Sequence, residues 1–132
     1  MTPVAVVPAL SRLIRSTSHS VRTLKFYQDV CSACHTEPGL GANHLFPRLA
    51  RSPAVQSDNA TTLIRVVIAG SRSGGTALAP TAPAMPAMAG RLTNEQVAAV
   101  LTYIRNSWGN AATAVSADEV KVIKSNLTAN GG

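Results

Sequence analysis

The only two cysteines in the chain stand two residues apart with a histidine directly behind them: CSACH, residues 31–35. Three chemistries use such a cluster. A dithiol redox centre places C-x-x-C at a helix N-terminus in a strand-rich fold, where the helix dipole lowers the thiol pKa. Here the motif ends a helical pattern, and no alternation of strands and helices surrounds it. A zinc site needs four ligands, and His19, His35 and His44 offer no second spaced pair. The third chemistry is covalent haem attachment, whose signature is C-x-x-C-H. Two thiols add across the two vinyl groups on one edge of the porphyrin, and two intervening residues let one backbone turn reach both. The adjacent imidazole then lies under the ring with Nε2 toward the iron. One haem c, held by Cys31 and Cys34 with His35 as a metal ligand, is the cofactor this motif predicts.

A second axial donor must come from elsewhere. Met85 and Met88 lie in PTAPAMPAM, where Pro83 and Pro86 fix φ and lower the entropy lost when the loop orders. A methionine thioether opposite a histidine raises the reduction potential, as suits electron transfer. Met85 is the preferred ligand, with Met88 next and His44 or His19 behind. His44 is only nine residues after His35, so its crossing to the opposite face is awkward. A ligating imidazole usually donates its other N–H to an acceptor. FPRLA supplies a candidate in the carbonyl of Pro47, followed by Leu49 to pack on the ring.

The elements that must position these residues read as helices. From Ser20, a plausible cap, SVRTLKFYQDVCSACH places Leu24, Tyr27, Val30 and Cys34 on one stripe, and Pro38, Gly39 and Gly41 then break it. SDNATTLIRVVIAG forms a second helix, with Asp58 as cap, Leu63, Val66 and Val67 on one face, and Gly70 as stop. The prolines of residues 71–90 exclude a helix or a central strand there. A third helix opens on a Thr93/Gln96 capping box and carries Val97, Val100, Leu101, Ile104 and Trp108 to a stop at Gly109. A shorter fourth opens on Ser116 and Glu119 and carries Val120, Ile123 and Leu127. The expectation is one all-α domain over residues 21–132, with residues 1–20 as a flexible N-terminal extension.

These motifs together resemble a class I cytochrome c. CSACH, the Pro-x-Leu of FPRLA and the Met-Pro of AMPA follow that family's order and spacing. FYQDVCSACH, LFPRLARSPAV, TLIRVVIAG and MPAMAGRLTNEQVAAVLTYIRNSWGN are similar to the C-terminal haem domain of the cytochrome c subunits of bacterial membrane-bound alcohol, gluconate and sugar dehydrogenases. The similarity runs from Val21 to Leu127. It implies three to five helices wrapped around one haem, with the first and third helices crossing. It also implies one-electron transfer from a periplasmic dehydrogenase toward quinone or a terminal oxidase. By position, Cys31 and Cys34 carry the thioethers, His35 and Met85 hold the iron, and Pro47 orients His35. The chain departs from the family at Thr23, where glycine is usual, so a looser or shifted crossing centred on Tyr27 and Tyr103 is expected. It departs again at Met88, where relatives often carry phenylalanine, which adds a competing thioether.

Composition agrees with a cofactor-filled core. Hydrophobic residues make up 45% of the 132 residues and aromatics only 4%, so a macrocycle would supply the large flat apolar body. The formal charge of +6 comes from scattered Lys and Arg without a nucleic-acid motif, and so biases the chain toward acidic partner surfaces. Lys25, Arg48, Arg72 and Arg91 are candidates for a basic docking rim. Six acids and no nucleophile–base pairing leave no substrate apparatus, so an electron carrier is expected rather than an enzyme. The alternative is a haem protein with a labile sixth ligand, acting as a small-ligand sensor or redox enzyme domain; a third option is a subunit-anchoring module whose haem is mainly structural. No stretch approaches the roughly 20 apolar residues of a membrane span. MTPVAVVPAL is a poor secretory signal, yet haem attachment in bacteria occurs outside the cytoplasm. The expectation is therefore a periplasmic chain whose signal has been removed, or the last domain of a multi-haem protein. A separate small chain partnered with a dehydrogenase is favoured.

Overall fold

The computed structural model describes residues 21–43, 45–72 and 83–130, with residue 72 described by its backbone alone. The expected extension over residues 1–20 lies outside the described residues. Helix α1 covers residues 21–35. Its middle turn, Tyr27–Cys31, widens to a π-helix, and its last turn, Ser32–His35, is α-helical. Thr36, at φ +67°, ends it. Next come α2 (Thr61–Ala69), a two-residue antiparallel pair β1 (Ser71–Arg72) and β2 (Ala84–Met85), α3 (Asn94–Ile104) and α4 (Ala117–Ala129). The fold is all-α, as expected, with four helices among the described residues.

Both capping boxes form. Thr93 Oγ1 accepts from Gln96 N–H, and Gln96 Oε1 accepts from Thr93 N–H; Ser116 and Glu119 repeat the arrangement on α4. Helix α2 differs from expectation. It starts at Thr61 without a side-chain cap on its N-cap residue, and Asn59 Oδ1 rather than Asp58 takes the Thr61 N–H at 2.9 Å. Its faces divide the work. Ile64, Val67 and Ile68 are buried in the core, and Leu63 and Val66 join Val67 in lining a cavity.

Helix α3 is the central element. Val97, Val100, Leu101 and Ile104 are buried on it, and each such side chain contributes roughly 1.5–3 kcal/mol relative to exposure. Helix α4 packs on both α2 and α3. Trp108 is not on the helix as expected. Helix α3 stops at Ile104, and Trp108 sits in the following turn at φ +53°. It still reaches the crossing of α1 and α3, where Tyr27, Tyr103 and Trp108 meet with ring centroids 5.1–5.8 Å apart. Leu24, expected on the buried stripe of α1, is exposed. Thr23, Tyr27 and His35 are the buried residues of α1.

The strand pair was not expected. Gly70 adopts φ +77°, which sends Ser71–Arg72 back along Ala84–Met85, pairing Ser71 with Met85. Pro83 and Pro86 flank β2, and proline cannot extend a ladder, so the pair stays two residues long.

Candidate functional site

Cys31, Cys34, His35 and Met85 come from the end of α1 and from β2, and all four line one cavity. A neighbouring cavity of about 220 Å³ shares the walls formed by Cys31, His35, Pro47, Val66, Met85 and Met88. Leu63, Val67, Leu101 and Ile104 extend that lining, so it is apolar almost throughout. Leu49 is half-buried in the same wall.

His35 is buried, and its Nδ1 lies 3.0 Å from the Pro47 carbonyl oxygen. A carbonyl can only accept, so Nδ1 carries the proton, and Nε2 keeps a lone pair able to bind a metal. The loop that brings Pro47 there is built on glycines. Gly39 O accepts from the N–H groups of both Leu49 and Ala50, and Gly41 N–H donates to His35 O. Gly41 has φ +64°, and a Cβ on it would strike Phe46 O and come within 2.7 Å of Pro47 O. Asn110, buried, pins the same segment from the far side: its Nδ2 donates to Leu49 O and Ile104 O. Tyr27 Oη–H donates to Thr36 O at 2.6 Å, tying the residue after the motif to the helix crossing.

Met85 is half-buried and Met88 buried, and both face the two cavities. Their backbones are held differently. Met85 lies in the strand pair. Met88 N–H donates to Val67 O, while Met88 O accepts from Arg91 and Leu92. Gly70 packs against the Met-Pro segment, where a Cβ would meet Met85 O at 2.6 Å and Ala87 N at 2.9 Å. His19 and His44, the remaining candidate axial donors, lie outside the described residues.

Burial pushes the Cys31 thiol up to about 11, with Cys34 beside it as a further cause. A thiol so raised is not the activated thiolate a dithiol redox centre needs. Among the described residues, no group of three or more His, Cys, Asp or Glu side chains is arranged to hold a metal ion. The donors fit a haem instead: two thiols at one edge, a buried histidine with one nitrogen free, and an apolar hollow between α2, α3 and the methionine segment.

The cytochrome c family model matches residues 21–108. The chain belongs to the cytochrome c family. It carries one covalent haem c through Cys31 and Cys34, and its role is electron transport. The chain is 36% identical over 118 residues to the cytochrome c subunit of a quinone-type alcohol dehydrogenase from Gluconacetobacter polyoxogenes, covering 87% of this chain and 25% of that protein. It is 40% identical over 104 residues to the gluconate 2-dehydrogenase cytochrome c subunit of Pantoea cypripedii, covering 77% and 24%. Over 125 residues it is 30% identical to the fructose dehydrogenase cytochrome subunit of Gluconobacter japonicus, covering 91% and 26%. The chain thus spans about a quarter of the length of these relatives.

Three positioning residues in this cytochrome carried weak or unread sequence signals. Gly41 and Gly70 read only as helix breakers, yet each makes room for the backbone that presents Pro47 or Met85. Arg105 falls four residues after Leu101, on the buried stripe of α3, and is itself fully buried. Of the expected docking rim, Lys25, Arg48 and Arg91 are exposed. The Arg72 side chain lies outside the described part. No helix among the described residues is long and apolar enough to cross a membrane.

Proposed function

We propose that this chain is a periplasmic one-electron carrier between a dehydrogenase and a quinone- or oxidase-side acceptor, with His35 and Met85 as the axial ligands of its iron. The observation that carries this reading is the single cavity lined by Cys31, Cys34, His35 and Met85. The relatives support the partner assignment, since they are subunits named for alcohol, gluconate and fructose dehydrogenases. When bound, haem supplies an iron centre that exchanges one electron at a potential tuned by its axial ligands.

The chain's own residues do the rest. Pro47 O holds the proton on Nδ1 of His35, which fixes the tautomer and raises the basicity of Nε2. Pro83 and Pro86 restrict the segment bearing Met85. Leu49, Val66 and Leu101 line the cavity and would exclude water from a haem held there. Cys34 lines the cavity and is itself exposed, which suits it to the edge where an electron would leave.

Voltammetry and carbon monoxide binding on the haem-loaded protein test the reading. A reversible one-electron couple with slow carbon monoxide binding at neutral pH is expected. Fast binding by the reduced protein would instead support a labile sixth ligand and a sensor or redox-enzyme role, and a redox-silent protein would point to a structural haem.

A further inference from the structure

Arg105, the C-cap residue of α3, is 0% exposed. Arginine is almost never fully buried unless paired, because an isolated interior charge is expensive. Among the described residues, its hydrogen bonds go only to neutral oxygens. Nε–H donates to Thr113 O at 2.8 Å, Nη1 to Val55 O at 2.8 Å and Ser57 O at 2.9 Å, and Nη2 to Thr113 Oγ1 at 3.1 Å. The chain's six acids are Asp29, Glu37, Asp58, Glu95, Asp118 and Glu119, and none of them is among these partners. Arginine does not shed its proton in proteins, so a full positive charge is held inside the domain by carbonyl dipoles.

That charge adjoins the cavity. Val55, whose carbonyl Arg105 grips, and Ile104, which precedes it, both line the hollow that also contains His35 and Met85. Burial shields the guanidinium from solvent ions, so its field on the cavity is screened far less than that of a surface lysine.

We propose that Arg105 sets the reduction potential of the haem iron. Reduction adds one electron to ferric iron and gives ferrous iron, with the charge on Arg105 unchanged. A nearby fixed positive charge opposes the more positive ferric state and so holds the potential up. The proposal deepens the carrier reading and rests on the one-electron couple assigned there.

Spectroelectrochemical titration of the haem-loaded parent, Arg105→Gln and Arg105→Lys, with a denaturation curve for each, tests it. At the parent's midpoint potential, Arg105→Gln should raise the oxidised-to-reduced ratio roughly tenfold, about 59 mV for a one-electron couple. Arg105→Lys keeps the charge but loses the fork, so it should stay within about twofold although both variants lose stability. A purely structural role would instead lower both potentials in step with stability. An unmoved potential in Arg105→Gln, or an equal fall in Arg105→Lys, overturns the proposal. If Arg105→Gln does not fold, Thr113→Asp decides, because it sets a carboxylate against the guanidinium. Its potential should fall below that of Thr113→Asn, and equal values overturn the proposal. A preserved couple with an unmoved potential defeats this inference alone, whereas the absence of any couple defeats the carrier reading and this inference with it.

Discussion

Tyr27 ties the helix packing to the candidate site, because one phenol both packs between Tyr103 and Trp108 and holds the carbonyl of Thr36, the residue after His35. Removing its hydroxyl loses one hydrogen bond, so Tyr27→Phe should cost about 1 kcal/mol of stability at pH 7. Burial raises the Tyr27 pKa above its ordinary value, with Cys31 and then Tyr103 as lesser causes. Burial persists once Cys31 is a thioether. A raised pKa means that folding favours the neutral phenol. That stability is intact below pH about 10, the ordinary tyrosine value, and is lost progressively as pH rises above it. Parent and Tyr27→Phe should therefore converge in urea denaturation as pH goes from 7 to 11. A constant gap would contradict this assignment. Much of the candidate site was legible at this scale, since CSACH and the Met-Pro pair mark candidate donors by type and spacing, and these residues line one cavity. Arg105 was not. Nothing in residue order says that four carbonyl and hydroxyl oxygen contacts will gather around one side chain from positions 55, 57 and 113.

At the scale of elements, helix ends decide where the donors stand. Gly70 stops α2 and also lets the Met-Pro backbone pass within van der Waals distance. Gly70→Ala adds both a strained φ and a collision with Met85 O, a loss of order 1–3 kcal/mol. It should also speed carbon monoxide binding by displacing Met85. Gly90→Ala, where a Cβ meets nothing within 4 Å, should leave both properties unchanged. Equal carbon monoxide rates in the two variants would refute this positioning role. Thr93→Ala, which removes one half of the α3 capping box, should cost about 1 kcal/mol without touching the spectrum. The boxes at Thr93 and Ser116 were readable because they are local. The β1–β2 pair was not, because it depends on a left-handed glycine and on residues twelve and fourteen positions apart. Trp108 was misplaced for a related reason: its period matches the helix, but the chain leaves the helix at Ile104 and delivers the ring from a turn.

For the whole molecule, a formal charge of +6 and exposed Lys25, Arg48 and Arg91 suit an acidic partner. The rate of reduction by a dehydrogenase donor should therefore fall steeply as ionic strength rises from about 10 mM, where the Debye length is about 30 Å, to about 1 M, where it is about 3 Å. An unchanged rate would remove charge steering from the mechanism. An absorption spectrum of the haem-loaded protein, oxidised and then reduced, beside Met85→Ala and Met88→Ala, tests the proposed His35/Met85 iron. Sharp reduced bands are expected in the parent, together with the weak long-wavelength oxidised band of a methionine–iron bond. Met85→Ala should lose that band, and Met88→Ala should keep it. A band that survives in Met85→Ala and vanishes in Met88→Ala would hand the ligand to Met88 and contradict the assignment.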